Sequence, residues 1–187
     1  MNTSINKSLS FFSKCLVLYL VLLLVEGKYR IDFLNNHFNS KYINIIKLSS
    51  NVNMIITSLF VIFIIILILI ICYFVIEIFD FNISMNSVIQ AFALITLIFT
   101  VFQFIRLFID FTMLKLPISN LIDDNSFFAE LKTTKWFHYI TILDYLMILV
   151  GIFVLGLEIY IQEEKKNSFE IFCISGVFLI CYSVIMI

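Results

Sequence analysis

The sequence predicts an all-α integral membrane protein. Two observations carry that expectation. Of 187 residues, 62% are hydrophobic and 13% charged, against about 45–50% and about 25% in an ordinary soluble domain. The apolar residues also gather into segments that reach or approach the ~20 residues needed to cross a ~30 Å hydrocarbon core. A soluble fold of this size has to dress its outside with polar groups, whereas a lipid-facing surface removes that demand.

The segments fall approximately at 9–25, 54–79, 87–113, 138–161 and 169–187. The last four read as transmembrane helices in two antiparallel hairpins. The clearest is 54–79, whose stretch 59–71 is an unbroken run of Leu, Phe, Val and Ile. The N-terminal segment is less clear. Its uninterrupted run, 15–25, is short, and extending it back to Leu9 takes in Lys14. It can span with Lys14 snorkelling to the interface, lie in the interface, or be a signal-peptide core. No small-x-small cleavage site follows, because the next residues are Glu26, Gly27 and Lys28. The reading favoured here is a retained helix that forms a fifth span.

Connections alternate between short and long. Residues 80–86 and 162–168 are tight turns, and 26–53 and 114–137 are long. The long ones carry Lys28, Arg30, Lys41, Lys47, Lys115, Lys132 and Lys135, whereas the short ones carry only Lys165 and Lys166. Lysine and arginine set orientation, so the long connections are expected on the cytoplasmic or matrix side, with Lys7 against the rule. Both long connections read as amphipathic. Leu34, Phe38, Tyr42 and Ile45 have helical spacing, which suits a segment lying along the surface. Asn125 and Ser126 can cap a short helix carrying Phe127, Phe128 and Leu131. Trp136, His138 and Tyr139 follow as aromatic anchors at the membrane border.

Two polar stripes cross the apolar segments. In the third, Ala93, Thr96, Thr100, Gln103, Arg106 and Asp110 fall within an arc of about 140° at helical spacing. In the fourth, Thr141, Asp144, Gly151, Glu158 and Gln162 line one face. Lipid offers such groups no partner, so the two faces should meet. Arg106 and Asp144 both lie roughly 9 Å from the inner ends of their helices at ~1.5 Å per residue. They are expected to pair, with Asp110 nearer the surface. At the opposite ends, Glu77 and Glu158 lie at one level, and Lys14 is their natural partner if the first helix spans. Gly151 reads as a place where two helices approach.

Net charge is −1, which gives no basic field for nucleic acid. Cys15, Cys72, Cys173 and Cys181 sit in apolar segments without a CxxC pair, as buried small hydrophobes do. The zinc motif HExxH and the frame GxSxG are both absent. His37 and His138 do not lie on facing spans as haem ligands would. No cofactor, metal, soluble substrate or catalysis is expected. Phe, Ile, Tyr, Met, Asn and Lys make up half the chain, while Gly, Ala, Arg and Pro are scarce. The first set has A/T-rich codons, which points to an AT-rich genome, an organelle or a low-GC bacterium. The expectation is a non-catalytic accessory subunit of a larger membrane complex, with lipids and other membrane subunits as partners. A respiratory-chain or ATP-synthase assembly of the mitochondrial inner membrane suits the codon bias, and a bacterial plasma membrane is the alternative location. Two other functions stay open: a small ion or solute transporter or channel using Arg106 and Asp144, and a bacterial membrane immunity or regulatory protein.

Overall fold

The computed structural model describes residues 2–37, 43–114, 133–163 and 167–186. Nearly all of them form five helices: α1 (Asn2–His37), α2 (Ile43–Ile78), α3 (Met85–Met113), α4 (Lys135–Gln162) and α5 (Ser168–Met186). Four contain stretches long and apolar enough to cross a membrane: Ile5–Phe33, Leu48–Ile78, Met85–Met113 and Lys135–Gln162. The fifth, α5, is apolar but shorter. The chain is therefore a multi-pass membrane protein. The long set includes the N-terminal helix, so the short member is the C-terminal one instead.

Helix boundaries depart most from the sequence reading around the expected connection 26–53. Hydropathy falls at Glu26, but α1 continues to His37. An intrahelical backbone ladder does not need apolar side chains, and Glu26–Arg30 and Lys28–Asp32 add ion pairs at i, i+4. Likewise α2 begins at Ile43, well before residue 54. Residues 38–42, with Phe38 and Tyr42, lie outside the described residues. So does the short helix expected near 126–131.

The other boundaries have local causes. Ser84 caps α3, its Oγ accepting from the Ser87 amide at 3.2 Å, and Thr134 caps α4 by accepting from Phe137 at 3.2 Å. At the end of α2 the Phe81 amide donates to the Ile76 carbonyl at 3.0 Å, and Asp80 between them has φ 51°. That is a Schellman closure with an aspartate in the left-handed position that glycine usually fills. The turn is pinned from across the bundle. The Asn82 amide donates to Glu170 Oε2 at 3.0 Å, and the Ser84 amide donates to Glu163 Oε1 at 2.8 Å. Two carboxylates flanking the α4–α5 connection, Glu163 at the end of α4 and Glu170 in the first turn of α5, thus satisfy backbone donors of the α2–α3 turn.

The helices pack in the cyclic order α1, α3, α4, α5, α2, and α2 returns to α1. The most extensive contact is between α1 and α3. These helices run parallel, in constant register: Tyr19 lies beside Phe99 and Arg30 beside Asp110, 80 positions later. On α1 the buried residues are Ser8, Phe12, Cys15, Tyr19 and Glu26, at steps of three, four and seven. That is the seam of a left-handed helix pair. Inside the ring Phe92, Phe99, Phe178 and Tyr182 form an aromatic core, with Tyr182 5.6 Å from Phe99 and 5.7 Å from Phe178 between ring centroids. Gly151 of α4 faces it. A Cβ there would stand 3.1 Å from the Phe99 ring and 3.4 Å from Phe178, so the missing side chain lets α4 approach. Outward, Phe63, Phe74, Phe104, Phe108 and Phe153 are each more than half exposed, as a lipid-facing surface requires.

Candidate functional site

Three helices each bring two polar side chains to the end of the bundle where α1 finishes. Glu26 and Arg30 come from α1, Arg106 and Asp110 from α3, and Trp136 and Asp144 from α4. Spacing explains why each pair shares a face: four residues make just over one turn, and eight make just over two. Because α1 and α3 are parallel and in register, Glu26 meets Arg106 and Arg30 meets Asp110. The order of charges is reversed between the two helices, so each acid faces a base.

The contacts form a continuous chain. Trp136 Nε1 donates to Asp110 Oδ1 at 2.7 Å. Arg30 grips the same carboxylate with two bonds, Nε to Oδ2 at 2.7 Å and Nη2 to Oδ1 at 3.2 Å. Its Nη2 also lies 2.5 Å from Glu26 Oε1, and that oxygen is 3.1 Å from Arg106 Nε. Arg106 Nη1 then donates to Asp144 Oδ1 at 2.9 Å. The Arg30 guanidinium also stacks 5.3 Å above the Trp136 ring. Starting and ending on α4, the chain ties three helices into one layer. Glu26 is the weak link in direction: neither guanidinium aims an N–H well at Oε1, so charge rather than a directed hydrogen bond holds it.

Burial within this layer is uneven. Asp110 lies one turn nearer the end of α3 than Arg106 and is completely buried within the bundle. The burial comes from α1, which continues to His37 and lays Arg30 over the carboxylate. Asp144 is the most open of the charged members, with its side chain 34% exposed. Two guanidiniums face three carboxylates, so the ring carries one excess negative charge in its fully ionised form. Next to it on α3, Gln103 is buried and its Nε2 has no partner among the described residues.

A second polar layer occupies the other end. Ser8 Oγ donates to Asn86 Oδ1 at 2.7 Å and accepts from Gln90 Nε2 at 2.9 Å. Glu158 accepts from Gln162 one turn along α4. The expected meeting of Lys14 with Glu77 and Glu158 is not formed. Lys14 is exposed, off the face of α1 that packs, and Glu77 is exposed and bonded to Tyr73 one turn earlier. Glu77 also lies farther along the bundle, because Gly27 packs against Met54 of the antiparallel α2 and so sets Lys14 about ten residues short of the level of Glu77. The basic residue that shares a groove with Glu158 is Lys7.

Of the residues singled out by sequence, the structure brings Arg106, Asp110 and Asp144 into one layer, with Gln103 beside it. Glu77, Glu158 and Lys14 lie elsewhere. Sequence reading missed Glu26, Arg30 and Trp136. A signal for them existed: Glu26/Arg30 and Arg106/Asp110 are i, i+4 pairs of opposite order. The layer also holds both arginines and the sole tryptophan of a chain that otherwise uses lysine. Among the described residues no group of His, Cys, Asp and Glu is arranged to hold a metal ion. Comparison with protein-family models, curated proteins and solved structures finds no match to this chain. Chemically the layer is a set of paired charges, three carboxylates against two guanidiniums, toward one end of the apolar bundle. Ser8 and Glu26 are ~27 Å apart along α1 at ~1.5 Å per residue, close to a hydrocarbon thickness.

Proposed function

We propose that this protein is a non-catalytic structural subunit of a larger membrane assembly. The observation that carries the reading is the use made of the charged layer. Both arginines are engaged by acids of other helices or of their own, and the chain of contacts begins and ends on α4. Such a layer fixes helix register, and in lipid an unmatched charge is costly enough to make that register specific. The phenylalanine-rich outer faces of α2, α3 and α4 then serve as surface for lipid and for neighbouring subunits. The codon bias supports an organellar origin, with a respiratory-chain or ATP-synthase complex of the mitochondrial inner membrane as the assembly. In that setting the charged layer lies on the matrix side, with most lysines. Solubilisation of native membranes in mild detergent, native electrophoresis and mass spectrometry of the band test the proposal. Co-migration with other membrane subunits at several times the mass of the chain is the expected result, and migration as a monomer or small homo-oligomer refutes it.

The excess negative charge, the openness of Asp144 and the unpartnered Gln103 amide support a second reading, a small cation transporter working through Arg106 and Asp144. Cation flux into liposomes that is abolished by Asp144→Asn is its signature, and absence of flux from the purified chain removes it.

A further inference from the structure

The groove at the end opposite the charged layer has the chemistry of a phospholipid headgroup site. It measures about 320 Å³ and is lined by Lys7, Ser8 and Phe11 of α1, Gln90 and Leu94 of α3, and Glu158 of α4. It exists because α1 and α4 flank α3 without close approach of their backbones to each other, so α3 forms its floor. One wall carries a cation and the other an anion. Among the described residues no ion pair joins Lys7 to Glu158, although both border the same groove. Gln90 spends its Nε2 on Ser8, and Ser8 spends its hydroxyl hydrogen on Asn86. Glu158 Oε1 accepts from Gln162, which leaves its second carboxylate oxygen and the amide oxygen of Gln90 as acceptors on residues lining the groove. Phe11 and Leu94 continue the groove in apolar character. It lies near the start of the apolar stretch Ile5–Phe33, ~27 Å along α1 from the charged layer at ~1.5 Å per residue, a separation close to a hydrocarbon thickness.

We infer that this groove binds a zwitterionic phospholipid with a primary ammonium headgroup, a phosphatidylethanolamine. The phosphate faces Lys7, the ammonium faces Glu158 and Gln90, and the glycerol end descends along Phe11 and Leu94. A primary ammonium offers three N–H donors to those acceptors, and a quaternary choline offers none. The site therefore discriminates between two headgroups of equal net charge. This inference is independent of which assembly the chain joins.

The test is native mass spectrometry of the full-length chain in mild detergent, titrated with phosphatidylethanolamine, phosphatidylcholine and phosphatidylglycerol of identical acyl chains. Phosphatidylethanolamine is expected to be retained about threefold or more over phosphatidylcholine, the size of one partly exposed charge-assisted contact. Glu158→Gln should bring phosphatidylethanolamine down to the level of phosphatidylcholine. Lys7→Gln should weaken all three lipids, since all carry a phosphate. Equal retention of the two zwitterionic lipids by the unmodified chain overturns the assignment. So does a preference that survives Glu158→Gln, or strongest binding of phosphatidylglycerol. If Glu158→Gln does not fold, the comparison of headgroups on the unmodified chain and on Lys7→Gln still decides.

Discussion

Arg30 and Asp110 are 80 residues apart in sequence, yet the arginine holds the aspartate through two hydrogen bonds, at 2.7 and 3.2 Å. No other acid in the described residues is both fully buried and gripped in this way. Asp110→Ala would leave Arg30 and the Trp136 indole without their shared acceptor. Removing one partner of a buried pair costs about 3–5 kcal/mol. Thermal unfolding in detergent should show that loss, and the emission of the sole tryptophan should shift as its N–H loses its partner.

Arg30→Lys should also be destabilising, although it keeps the charge. An ammonium cannot reproduce the planar two-bond grip on Asp110 or the stacking over Trp136. The expected cost is about 1.5–3 kcal/mol, the range for a charge-assisted bond. Stability equal to the unmodified chain would show that only charge matters at this position.

The Arg106–Asp144 contact should couple more weakly than Arg30–Asp110. Its acid is 34% exposed, whereas the side chain of Asp110 has no exposure. Double-mutant cycles to alanine should give about 1 kcal/mol for the open pair and about 2–3 kcal/mol for the buried one. Equal coupling energies would contradict the order of burial.

Gly151→Val should disturb the aromatic core. Even a Cβ at this position crowds Phe99, and the branched side chain has nowhere to go between α4 and that ring. Overpacking of this kind costs about 1–3 kcal/mol. The melting temperature in detergent is the readout, and an unchanged value would mean that α4 can slide outward freely.

Asp80 offers a local test. Its φ of 51° is tolerated by aspartate but poorly by a β-branched residue. Asp80→Val is expected to cost about 1–2 kcal/mol, and Asp80→Gly should be neutral or stabilising. The two variants remove the same exposed carboxylate, so a difference between them isolates backbone strain.

The sequence by itself determined the medium and the layout. Composition and the length of the apolar runs specify membrane helices, because only lipid can face that much apolar surface. The alternation of apolar runs with short connections specifies which helix ends lie together. Even the level of Arg106 and Asp144 could be read, since depth along a helix is a matter of counting residues. Only the tertiary structure decided which polar faces meet. Hydropathy falls at Glu26, but it is silent on whether the helix continues. Here α1 continues to His37 and packs parallel to α3. That parallel register, which no sequence-adjacent hairpin implies, brings Glu26 and Arg30 onto Arg106 and Asp110. The same rotational position leaves Lys14 outside and Lys7 beside the groove. Rotation about a helix axis is set by the sum of many side-chain contacts with its neighbours, so it emerges only when all the helices are in place.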